Sequence, residues 1–108
     1  MYEEGIFQNI QEATRNETVD VIASSGVVSE ARNEHNFRKD LILRNTSPTI
    51  ADIISLNIGF AIATAGEGVI LRKDESISFS SETGYQCPNN VISAVCTTAN
   101  GKLSIFER

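Results

Sequence analysis

The chain has 108 residues, 41% of them hydrophobic and 6% aromatic, with no Trp and a net charge of −5. That length holds one domain with one core, which here must rest on Ile, Val, Leu and Ala. The acidic balance opposes phosphate backbones and anionic lipid, which argues against a nucleic-acid partner, and no apolar run approaches the ~18 residues of a membrane helix.

Residues 1–17 differ in texture from the rest and read as an N-terminal arm ahead of a β-domain over 18–108. Ile6, Phe7, Ile10 and Ala13 fit the i, i+3, i+4, i+7 spacing of one short amphipathic helix. An isolated helix of that length is marginal in water. The arm is therefore either an extended terminus or a segment that orders when Ile6, Phe7 and Ile10 dock on a neighbouring subunit. Its first residues are acidic where a signal peptide is basic, so synthesis in a cytoplasm is expected.

From Thr18 the chain breaks into short β-rich runs. Thr18–Ser24 alternates with Val19 and Val21 on one side, Gly26 interrupts it, and Val27-Val28 resumes it. After a polar turn at 33–36, Phe37–Asn45 places Phe37, Lys39, Leu41 and Leu43 on one face. Arg38, Asp40, Ile42 and Arg44 fall on the other, which predicts a half-buried strand with a solvated charged face. Asn45-Thr46-Ser47-Pro48 is a turn.

Asp52–Ile58 alternates again, Phe60–Thr64 is a short apolar run, and Gly66-Glu67-Gly68 is a turn whose glycines suit positive φ. Val69–Leu71 is brief, and Arg72–Glu75 is polar. Ser76–Ser80 is the cleanest alternation in the chain, with Ile77 and Phe79 inward and serines outward. Ser81–Asn90 reads as a loop, with Tyr85 as an anchor. Asn90–Thr98 is apolar on both faces, as a central strand would be, and Asn100-Gly101 signals a type I′ hairpin turn into Lys102–Phe106. Seven or eight strands with turns at this spacing predict an all-β fold, an antiparallel β-sandwich or jelly roll.

Sites of chemistry are scarce. The carboxylates Glu12, Asp20, Glu30, Asp52, Glu67, Asp74, Glu75 and Glu82 fall almost all in turns or on outward faces, not in paired clefts. His35 is the one histidine and sits in a polar turn, so a Ser–His or Cys–His unit has no second base to draw on. Glu67 between two glycines would repel a phosphate. Cys87 and Cys96 read as free thiols in a reducing compartment, with a bridge between them as the alternative. No catalytic residue, metal or cofactor is expected, and the chain reads as a non-enzyme.

The cadence of the strands resembles that of the small β-sandwich head-decoration, or cement, proteins of tailed bacteriophages. The stretches that carry the likeness are Arg38–Ser47, Ile54–Gly59, Gly68–Leu71, Gly84-Tyr85, Ile92–Cys96 and Lys102–Glu107. The likeness as a whole covers roughly residues 18 to 107, and the first seventeen lie outside it. The resemblance implies a virion protein made in the host cytoplasm that binds the major capsid protein on the outer capsid surface as a dimer or trimer. It implies that the protein stabilises the shell by bridging capsid subunits. A reading of another class is a receptor- or carbohydrate-binding module of a phage tail or fibre, which would need exposed aromatic side chains to stack on sugars.

Overall fold

The computed structural model describes residues 15–32, 37–81 and 87–108. Eight strands follow one another: β1 (Arg15–Val21), β2 (Gly26–Ser29), β3 (Asp40–Asn45), β4 (Ile54–Ile58), β5 (Val69–Leu71), β6 (Ser76–Ser80), β7 (Ile92–Cys96) and β8 (Gly101–Glu107). No helix occurs among the described residues.

Every pairing is antiparallel, and the pairings nest: β1 with β8, β2 with β7, β3 with β6, β4 with β5. They amount to one long hairpin whose tip is the β4–β5 connection. Rolling that hairpin brings β3 beside β8 and β4 beside β7, which closes two four-stranded sheets ordered β1-β8-β3-β6 and β2-β7-β4-β5. This is the strand order of an eight-stranded jelly roll, the double-sheet solution to burying one face of each sheet.

The alternation read from the sequence is what fills the space between the sheets. Leu41 and Leu43 of β3, Leu103 and Ile105 of β8 and Val21 of β1 face Ile54, Leu56, Leu71, Ile92, Ala94 and Cys96 of the second sheet. All five residues of β7 are buried, as the two-sided apolar run requires of a central strand. Ile77 and Phe79 of β6 pack against the core but stay partly exposed, because β6 is an edge. Gly66 and Gly68 adopt φ of 83° and 79°, as the turn reading anticipated.

Four expectations are corrected. First, β1 begins at Arg15, so 15–17 are strand and not arm: they pair in register with Glu107, Phe106 and Ile105. Second, β3 begins only at Asp40, so the alternation that placed Arg38 on a solvated face does not extend back to it; Arg38 is 0% exposed, while Phe37 is exposed. Third, Asp52 is buried at the turn before β4 instead of solvated.

The fourth correction concerns Asn100-Gly101, which makes no hairpin. β7 lies in the second sheet and β8 in the first, and neither Asn100 nor Gly101 has a positive φ. The segment between them crosses from sheet to sheet, held by Thr97 N donating to Ile53 O (3.0 Å) and Asn100 N to Thr98 Oγ1 (3.1 Å). Glycine is needed at 101 for another reason: a Cβ there would lie 2.5 Å from Val21 O and 2.8 Å from Cys96 Sγ. The two cysteines are buried and free.

Candidate interaction surface

Two features stand out: a buried ion cluster at one end of the roll, and an apolar surface on the outer side of the second sheet.

The cluster is centred on Glu107, the last residue of β8, which is 1% exposed. Its Oε2 accepts from Arg38 Nε (2.5 Å) and Ser29 Oγ (2.6 Å), and its Oε1 from Arg32 Nη2 (3.3 Å), with Arg15 Nη1 at 3.5 Å. Arg38 spends its other donors on carbonyls and a hydroxyl: Nη1 on Pro88 O (3.0 Å) and Asn90 O (2.8 Å), Nη2 on Ser29 Oγ (2.7 Å) and Glu30 O (2.8 Å). All five guanidinium N–H groups are thus used, which is the condition for burying an arginine. Burial by itself pushes the Glu107 carboxyl up. The Ser29 hydroxyl and the Arg38 and Arg32 guanidinium groups more than offset that push, and the group titrates below its ordinary value.

Chemically this carboxylate is a poor base, because it is held ionised and enclosed by donors. The cluster instead ties together the end of β2, the entries to β3 and β7 and the end of β8. Asp52 plays a similar part at the opposite end. Its carboxylate accepts from Thr98 Oγ1, from Thr49 N (3.1 Å) and from Thr49 Oγ1 (2.9 Å). The Thr98 hydroxyl, against the opposing effect of burial and with help from Thr49, lowers its pKa. Both groups are fastenings.

The apolar surface is built by the connection between β4 and β5, which folds back across the outer face of the second sheet. Serines of the sheet anchor it: Ser93 Oγ donates to Phe60 O (2.9 Å), and Ser55 Oγ accepts from Gly66 N (2.9 Å). Ser25 Oγ accepts from Ala63 N (2.7 Å), and Asn57 Nδ2 donates to Ile62 O (3.3 Å). Ser55, Ser93 and Val95 of the sheet are buried, as is Ala63 of the loop itself. Gly68 lets the chain return, since a Cβ there would lie 2.3 Å from Leu56 O.

With its backbone pinned this way, the loop leaves Phe60 69% and Ile62 72% exposed. Val27, the register partner of Ser93, and Ile70, the partner of Ser55, share the same sheet face and are exposed at its two edges. Beside them a hollow of about 360 Å³ opens between β1 and β2, over Val21, Val28 and Ala94. Single exposed apolar side chains are ordinary, whereas four gathered on one face need a reason.

Of the residues singled out in the sequence, Ile6, Phe7 and Ile10 lie outside the described residues, as do Glu12, His35, Glu82 and Tyr85. Asp20, Glu30, Glu67, Asp74 and Glu75 are exposed, as their turn and face positions implied. Among the described residues no group of three His, Cys, Asp or Glu side chains could hold a metal. In the sequence Phe60–Thr64 is only a short apolar run, and such a run does not by itself separate core from surface. The available signal was the pair of glycines flanking Glu67 just after that run, which keep the chain from entering a long buried strand. No protein-family model, curated protein or solved structure matches this chain.

Proposed function

We propose that the protein is a structural virion component that binds the outer surface of a bacteriophage capsid and stabilises the shell by bridging capsid subunits. The observation that carries this reading is the pinned apolar loop: Phe60 and Ile62 stand in solvent on a loop whose backbone is bonded to Ser93, Ser25 and Ser55. A preorganised apolar surface loses little entropy on docking and gains its full burial. The strand cadence shared with head-decoration proteins supplies the choice of partner, the major capsid protein. The proposed mechanism is mechanical. Each copy binds the assembled lattice better than separated subunits, so binding raises the cost of disassembly, and many copies multiply a small gain.

The test mixes the purified protein with phage heads prepared without it and measures co-sedimentation and head survival on heating. Binding with a higher survival temperature is expected. Phe60→Ser combined with Ile62→Ser should weaken binding at least tenfold, which corresponds to ~1.4 kcal/mol, while leaving the thermal unfolding of the free protein unchanged. Neither binding nor protection would remove the capsid reading, and binding to immobilised glycans in its place would favour a tail or fibre module.

A further inference from the structure

The roll has four sheet edges, and three of them are guarded against pairing with another chain. β1 carries Arg15, Glu17 and Asp20 along its length. β2 is four residues long with a register shift between Val27 and Ser29. β5 has only three residues. Charge, irregularity and shortness are the usual defences of an edge strand. β6 has none of them: Ser76-Ile77-Ser78-Phe79-Ser80 is five residues of regular strand, uncharged and without proline, hydrogen-bonded on one side to β3.

The hydrogen-bond pattern shows which groups of β6 are left over. Ser81 N donates to Lys39 O (2.7 Å) and Asn45 N to Glu75 O (2.9 Å), on either side of the register Asp40↔Ser80 to Arg44↔Ser76. Odd-numbered residues of β6 therefore turn their N–H and C=O toward β3, and Ser76, Ser78 and Ser80 turn theirs away from the sheet. Among the described residues no strand receives those groups.

We propose that β6 is a self-association edge: two copies pair antiparallel through Ser76–Ser80 about a twofold axis at Ser78, joining their first sheets into one. The sequence is self-complementary in this register. Ser78 meets its own copy, and Ser76 meets Ser80 of the second chain. All three are positions whose backbone groups face outward, so each pair exchanges two bonds and every outward group is satisfied. Ile77 then lies opposite Phe79 of the second chain, in the closer, non-hydrogen-bonded kind of pair, on the inner side of the sheet. Both side chains pack against the core and are only partly buried. Shifting the pairing by one residue would place apolar side chains opposite serines and leave the outward groups unmatched. The occupant that fits is a second copy of this chain. A contact of one short strand sits at the small end of specific interfaces, below about 1,200 Å² in total, so the dimer dissociates on dilution. The inference is independent of the capsid reading.

Sedimentation velocity of the full chain over a wide concentration series tests it. The expected result is a monomer of 11.8 kDa passing to a dimer as concentration rises. Ser78→Lys and Ser78→Glu should each be monomeric throughout, because the axis sets like charges against each other. Their equimolar mixture should recover the dimer, because the same axis then pairs opposite charges. If either variant fails to fold, Ser78→Cys decides: residues opposite in such a pair have Cα atoms about 5.5 Å apart, within disulfide range, and mild oxidation should cross-link the chains. A wild-type chain that stays monomeric, any stable assembly other than a dimer, a dimer that survives both charge variants, or no cross-linking of the S78C chain overturns the proposal.

Discussion

Arg38 is buried at one end of the roll with all of its guanidinium donors bonded. Alternation extended from β3 sets it in solvent, yet it reaches the buried Glu107 carboxylate from 69 residues away. Breaking a buried ion pair from one side leaves an uncompensated charge, so Arg38→Met is expected to cost about 3–5 kcal/mol, measured by urea unfolding. Arg38→Lys should recover little of this, since an ammonium offers three donors where the site uses five. The carboxylates give a pH dependence of definite sign. Glu107, Asp52 and Asp40 all titrate below their ordinary values; for Asp40 the causes are Arg108 first and Ser80 second. A carboxyl whose folded pKa is depressed stabilises the fold above its unfolded pKa of about 4 and loses that contribution as pH falls through the folded pKa. The urea midpoint should therefore be level from neutrality down to about pH 5 and fall below about pH 4, and Glu107→Gln should make that acid fall shallower.

Among the elements, the β7–β8 link separates local signal from tertiary fact. Asn-Gly is the turn that local chemistry favours between two paired strands, and here the flanking strands do not pair with each other. The two explanations of Gly101 predict different mutants. A type I′ turn would make both positions costly. The observed packing against Val21 O and Cys96 Sγ predicts that Gly101→Ala destabilises by about 1–3 kcal/mol, while Asn100→Ala stays within about 0.5 kcal/mol; thermal and urea unfolding of the two variants decide it. β3, β6 and β8 were legible because their period of two persists for five residues or more, and β7 because its unbroken apolar run marks a strand covered on both faces. The apolar surface was only half legible: the glycine turn at 66–68 could be read, but that the loop before it lies across Ser55 and Ser93 could not. Those contacts are set by where β4 and β7 sit, which no window along the chain reports.

Across the whole molecule, nested pairing means that the first and last strands close the roll together. β1 pairs with β8 over seven residues, and Arg15 adds its charge beside Glu107. Truncation at the N-terminal side should therefore have two separable effects. Removing residues 1–14 leaves β1 paired with β8 over its whole length; if Ile6, Phe7 and Ile10 dock on a neighbouring subunit, binding to phage heads falls. Removing 1–17 strips Arg15–Glu17 from β8, and the unfolding temperature should drop as well.

The sequence by itself determined the all-β class, most strand positions, the side of each strand that is apolar, and the central place of β7. These follow from side-chain period and turn chemistry, which act over a few residues. Only the tertiary structure decided the jelly-roll order, the burial of Arg38 and Glu107, the crossing at Asn100-Gly101 and the exposure of Phe60 and Ile62. Each depends on partners tens of residues away, brought together by how the long hairpin rolls. The physical reason is one of range: periodicity says which face of a strand avoids water, and the packing of remote strands decides what covers it.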